Sequence, residues 1–252
     1  FSTSVAVNPG DITVVTVPIG AHHWTSGVAA SNLIHATADV EFVAYTVNLR
    51  PFSSDAALGL PVDTMNTGYI VASYPPSIGG NGSQMLVYAA YDNTDVTITP
   101  KAASGGHPAG TPFTVTLNSG QGYYLESTLS GAAGDFSGST IESTRPVGLI
   151  NGVQCVNIPN AYTACDHVYE IAQPTQTWGK SILVANLPNR PAGSIYRIFA
   201  SEDATTVTAD GGLLGTIDRG EYLDTGVIPN NHIYSGDKPI YVVQYMTGQD
   251  YP

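Results

Sequence analysis

The residues whose types could do chemistry gather in one stretch, positions 144–179, which holds both cysteines, Cys155 and Cys165, with Asp166 and His167 directly behind the second. Two cysteines ten positions apart, in a chain that otherwise avoids the residue, are most simply joined as a disulfide, because so short a ring closes easily. The alternative is a pair of reduced thiols in the core. An Asp-His pair is part of a hydrolase triad by type, but adjacent residues cannot easily place a carboxylate on their own imidazole. Both therefore read as structural. Asp166 is expected to cap a single helical turn over residues 166–172, which Pro174 ends, and His167 to pack and hydrogen-bond beneath Trp178. No GxSxG elbow, HExxH, P-loop or CxxC occurs, nor a GxGxxG following a strand, so no catalytic residue is assigned.

Other positions suit ligands rather than reactions. His22 and His23, beside Trp24, could face a ligand or a transition metal. Adjacent histidines point in different directions, however, and no carboxylate or cysteine stands at ligand spacing. Tyr123, Tyr124 and Tyr162 fall in or beside loops, where a ring can stack on a sugar or pack against another protein; the plainer reading is half-buried strand residues. Asp92, Asn93, Asp95 and Asp203 occupy Asp-rich turns that could donate oxygens to calcium. They lack EF-hand spacing, and an Asx turn needs no ion. Asn81-Gly82-Ser83 is a glycosylation sequon in a glycine-rich turn.

The elements that must carry these residues read as strands. Runs rich in β-branched residues recur about every ten positions, bounded by Gly, Pro, Asn or Asp, from 11–19 and 33–47 through 147–153 to 239–246. Helical periodicity is nearly absent. An internal repeat orders the strands. Residues 88–97 match 198–208, 117–123 match 217–222, and 141–150, with Arg145-Pro146, match 233–243, with Lys238-Pro239. The N-terminal residues echo the second half of the same unit. The expected fold is all-β, with tandem seven-strand repeats forming β-sandwich units of jelly-roll or immunoglobulin-like type; a five-bladed propeller-like ring is the alternative. The expected segments are 1–50 as a half repeat, 51–160 as the first full repeat and 161–252 as the second, packed as one region.

Composition narrows the partner. Only 11% of residues are charged, and eight basic side chains against twenty acidic ones give a net charge of −12. A phosphate backbone finds no basic patch here, so nucleic acid is excluded as a partner. No apolar run is long enough to span a bilayer as a helix. The absence of a basic, apolar leader at residue 1 is read as a removed signal or an internal start. The cysteine pair, the sequon and the scarcity of lysine point outside the cell or to its surface.

The pattern Arg145-Pro146-Val147, Cys155, Cys165-Asp166-His167, Glu170, Pro174, Trp178-Gly179, Tyr196-Arg197 and residues 238–246 resembles the N-terminal domain family of the IgG-Fc-binding protein. The resemblance runs from about residue 60 to the end and implies a secreted or surface β-repeat domain. It marks Arg145, Asp166, His167 and Trp178 as structural positions of the loop. With composition it implies a non-enzymatic adhesion module for glycoproteins, mucin-like partners or glycans, with no obligatory cofactor and calcium as the candidate ion. The alternative is a structural subunit that assembles with itself into a fibre, coat or matrix.

Overall fold

The computed structural model describes residues 1–18, 24–51 and 53–251. Sixteen strands are described: β1 (Ala29–Ala30), β2 (Tyr45–Arg50), β3 (Ser53–Leu58), β4 (Asn66–Ile70), β5 (Ser83–Ala89), β6 (Thr94–Thr99), β7 (Phe113–Leu117), β8 (Gly122–Glu126), β9 (Thr140–Val156), β10 (Asp166–Ile171), β11 (Gly179–Val184), β12 (Ser194–Ala200), β13 (Thr205–Ala209), β14 (Gly212–Ile217), β15 (Tyr222–Ile228) and β16 (His232–Met246). Among the described residues, helical structure is confined to three short 3-10 turns, at Val62–Thr64, Gly131–Gly134 and Thr175–Thr177. The protein is all-β, and its sheets curl towards closure: β7 nears β8 in the first, and β14 nears β15 in the second.

The first sheet runs β1-β8-β5-β9-β6-β7, with β4 and β10 also paired to β9. The second runs β14-β13-β16-β12-β15, with β11 paired to β16. Strand for strand, β4 to β9 correspond to β11 to β16, and the first sheet gains two further strands, β10 and the two-residue β1. The long strands β9 and β16 organise each unit. Residues 140–147 of β9 lie against β6 and β4, whereas 147–156 lie against β5 and β10. β16 changes neighbours likewise, from β13 and β11 to β12. The changeover falls at Arg145-Pro146 and Lys238-Pro239. Proline has no N–H to give to a ladder, so it is tolerated where pairing is being handed over. Each long strand occupies what the sequence pattern divides into two.

The turns repeat bond for bond. Asp92 Oδ1 accepts from Ser119 N–H at 3.0 Å, and Asp203 Oδ1 from Arg219 N–H at 3.0 Å. Asn118 Oδ1 accepts from Asn93 N–H, and Asp218 Oδ1 from Ala204 N–H. Each unit encloses its own apolar core, one around Val87, Ile98, Leu149 and Phe136, the other around Ile198, Val207, Tyr234 and Ile240.

Three expectations fail. Residues 11–18 are rich in β-branched side chains but form no strand, and of 33–47, which alternate from Val40, only Tyr45 onward is laddered. Ile12, Val14, Val40 and Val43 are exposed, so alternation there lacks the second sheet that would reward it. Residues 166–171 are strand β10 rather than a helical turn, because their backbone pairs with β9 from Val156 to Ile150.

Candidate functional site

Two apolar clusters bridge the two units and form a seam. One joins Ile70 and Ala72 to Trp178 and Phe199; the other joins Tyr74, Val153, Val156 and Ile158 to Ile195 and Tyr245. Trp178 stacks on Tyr241 with ring centroids 5.2 Å apart and donates its Nε1–H to Gln173 O at 3.2 Å.

A cation lies inside the seam. Arg197, on β12, is buried. Its Nη1 donates to Asp135 Oδ2 at 2.9 Å, Ser137 Oγ at 3.0 Å and Ser73 O at 3.1 Å, all on the first unit; its Nε donates to Asp224 Oδ2 at 3.2 Å on its own. The guanidinium carbon stands 4.5 Å from the Tyr74 ring centroid and 4.4 Å from that of Tyr222, a cation–π arrangement. Burial is the largest influence and works against the charge, but the Asp135 carboxylate and its hydrogen bond, together with the Tyr245 and Tyr222 phenols, outweigh it and hold the guanidinium above its ordinary value. Tyr245 donates its hydroxyl to Ser73 O at 2.6 Å, and Tyr222 to Asp135 Oδ2 at 3.3 Å. Burial, followed by the Asp135 charge, pushes the Tyr222 phenol up to about 12.

Above this pair opens a cleft of about 490 Å³, lined by Lys101, Ala132, Asp135, Ser137, Ile217, Gly220, Glu221 and Tyr222. At Gly220, which lines it, the backbones of the two units come into contact. A Cβ on Gly138, whose φ is +84°, would sit 2.0 Å from Gly220 O. Only glycine fits so close an approach in that conformation. Lys101 and Glu221 are exposed at the cleft, and Tyr222 is half-buried. The walls thus combine one aromatic ring with an exposed ammonium and an exposed carboxylate, while Ser137 beneath them is buried with its hydroxyl bonded to Ser73 O and Arg197.

The disulfide between Cys155 and Cys165 is present, with Cα atoms 5.3 Å apart. Its loop serves the seam. Ile158 is buried there, Ile158 O accepts from Gly248 N–H at 2.7 Å, and Tyr162 meets Tyr251 edge-on at 4.7 Å. Asp166 is no helix cap: its Oδ1 accepts from Ser53 Oγ at 2.5 Å and from His167 N–H at 2.8 Å, tying β10 to the hairpin β2–β3. His167 does not lie in the Trp178 cluster; its ring is 5.2 Å from that of Tyr169, and Nδ1 is 3.2 Å from Gln154 O. Arg145 is exposed at the changeover in β9, where its carbonyl accepts from Ser143 Oγ.

The remaining positions do not converge. His22 and His23 lie outside the described residues. Trp24 is half-buried over Gly122. Tyr123 is core rather than ligand surface, its hydroxyl 2.9 Å from His107 Nε2. Tyr124 is half-buried and donates to Glu126 Oε2 at 2.9 Å; burial, then the Glu126 charge, raises its phenol. Asp95 accepts from Thr116 Oγ1 at 2.6 Å, so with Asp92 and Asp203 the turn carboxylates are engaged by protein donors. Among the described residues no three His, Cys, Asp or Glu side chains gather as metal ligands. Asn81 is half-buried at its turn, and Ser83 of the sequon is buried against Ser73. Asp135, Ser137 and Lys101 carried no recognisable sequence signal, and Tyr196-Arg197 stood out only through the family pattern.

Residues 55–252 match the family described as IgGFc binding protein. The chain belongs to that family. The matched span holds the disulfide, Arg197, Asp135 and the whole cleft. Along 255 aligned residues the chain is 26% identical to the human IgGFc-binding protein, covering 98% of this chain but only 4% of that protein's length. No solved structure matches. The IgGFc binding family is one of binding proteins, not of enzymes.

Proposed function

We propose that the chain is an extracellular, non-enzymatic binding module that takes a glycoprotein, gripping it at the cleft above the Arg197–Asp135 pair. The observation that carries this reading is the make-up of that cleft: a half-buried tyrosine ring beside the exposed side chains of Lys101 and Glu221. Aromatic faces flanked by hydrogen-bonding groups suit hydroxyl-rich surfaces such as sugars on a protein. The rigid seam favours it too, since a site whose walls are fixed before binding loses less entropy on binding. The human relative is named for binding IgG Fc, which is a glycoprotein. The disulfide, and the lack of any described helix long and apolar enough to cross a membrane, fit an extracellular setting.

The test is binding of the 252-residue chain to immobilised Fc and mucin, each intact and enzymatically deglycosylated, with calcium and with chelator. Saturable binding to an intact glycoprotein is expected, weakened about tenfold or more in Lys101→Ala/Glu221→Ala, which changes only exposed side chains. Binding that ignores this double variant removes the cleft from the proposal. No binding to any surface removes the glycoprotein. Loss in chelator alone would return the Asp92 and Asp203 turns to consideration as calcium sites.

A further inference from the structure

The seam has two faces, and each recurs elsewhere in the chain without its mate. Strand register fixes the equivalences. β5 pairs with β9 so that Ser83 faces Val153, and β12 pairs with β16 so that Ser194 faces Met246; Val153 and Met246 therefore hold the same place. Asn66 faces Val147 and Gly179 faces Ile240, with a register shift directly after each, which places Ile70 with Leu183 and Ala72 with Ala185. In the first unit this face is sealed: Ile70 is 1% and Val153 0% exposed. In the second unit it is open: Leu183 is 73% and Met246 48% exposed.

The mating face is Tyr241, Val243 and Tyr245 of β16, which closes on the first unit. Its counterpart lies at the N-terminus. Gly59 N–H donates to Ala44 O at 2.8 Å, just as Ala172 N–H donates to Leu149 O at 2.8 Å, so β2–β3 repeats the β9–β10 pairing. A 3-10 turn entered through proline follows each, after Pro61 and after Pro174. Leu149 shares its place with Val242 through β5 and β12, and this aligns Val43, Tyr45 and Val47 with Tyr241, Val243 and Tyr245. These three are 70%, 69% and 67% exposed. An apolar row this open is the kind of surface that marks a protein contact.

We propose that two copies of this chain dock head to tail: the Val43, Tyr45 and Val47 face of one covers the Leu183, Ala185 and Met246 face of the next. The internal seam is the template, since it is already the same pair of faces in contact. The two faces differ and lie on different parts of the chain, so the contact is heterologous; it propagates as an open chain of copies or closes as a ring. The inference stands apart from glycoprotein binding, because neither face includes Lys101, Glu221 or Tyr222.

Sedimentation velocity across a concentration series tests it, using the 252-residue chain and the variants Tyr45→Lys and Leu183→Lys. Lysine lowers the net negative charge, so loss of association cannot come from general repulsion. The wild type is expected to grow in mass with concentration, and each variant alone to remain monomeric. An equimolar mixture of the two variants is expected to form dimers and stop there, because one intact face survives on each. Val14→Lys, at an exposed apolar position outside both faces, should associate like the wild type. A wild type that stays monomeric at the highest workable concentration overturns the proposal. So does a mixture that fails to dimerise while the wild type associates, since that outcome means a self-complementary contact.

Discussion

The two units follow one strand plan, yet the place that holds Ile70 and Val153 as core in the first holds Leu183 and Met246 as surface in the second. The side chains are apolar in both; only the neighbour differs. Burial in this architecture is therefore granted by the adjoining unit, as in other stacked repeats whose stability is a sum of unit and interface terms. The seam also contains something neither core has, a buried cation shared between the units. Arg197 ties Asp135 of one unit to Asp224 of the other and covers two tyrosine rings. A buried ion pair is weak grounds for extra stability but specific in geometry, because either partner alone is costly.

The largest effect expected from breaking this contrast comes from Arg197→Met. It strands the Asp135 carboxylate in the seam and should cost about 3–5 kcal/mol by urea unfolding. Adding Asp135→Leu removes the stranded charge and should recover part of the loss. If Arg197→Met alone is neutral, the cation does not hold the units together. Next comes a matched pair at one structural position. Ile70→Ala should cost about 2–4 kcal/mol, as truncation of a fully packed side chain does. Leu183→Ala in dilute protein should stay within about 0.5 kcal/mol, as surface changes do. Equal losses at the two sites would mean that the open face is covered even in the monomer.

The smallest expected effect is on alkaline stability. Burial raises the phenols of Tyr74, Tyr222 and Tyr245 at the seam, Tyr222 to about 12 from an ordinary 10.0. A group whose folded value is raised gives stability that is whole below the unfolded value and is lost as pH climbs through the folded one. Melting temperature should therefore hold up to about pH 10 and fall between there and about pH 12. Tyr222→Phe, which has no proton to lose, should flatten that fall.

Much of this plan was legible from residue patterns. Turn residues around Asp92 and Asp203, the Arg-Pro and Lys-Pro steps and the cysteine spacing all point to the elements that form. β-Branched content misled at residues 11–18, and alternation at residues 40–44, because such patterning states what a strand would do with a partner, not whether one is there. Residues 166–171 misled the other way: Asp166 and Pro174 look like helix punctuation, but pairing with β9 supplies backbone partners that a lone helical turn could not. The cleft was the least legible part. Lys101, the 135–138 turn and Gly220 lie far apart in sequence and meet only because the two units touch there.

The long strands have a consequence for how the protein comes apart. β9 is the shared neighbour of four strands, and β16 of three, so neither half of a unit can fray without stripping the strand that the other half uses. Amide exchange should accordingly find few sub-global openings in residues 140–156 and 232–246. Their most protected amides should open together, in the same step that releases the unit as a whole.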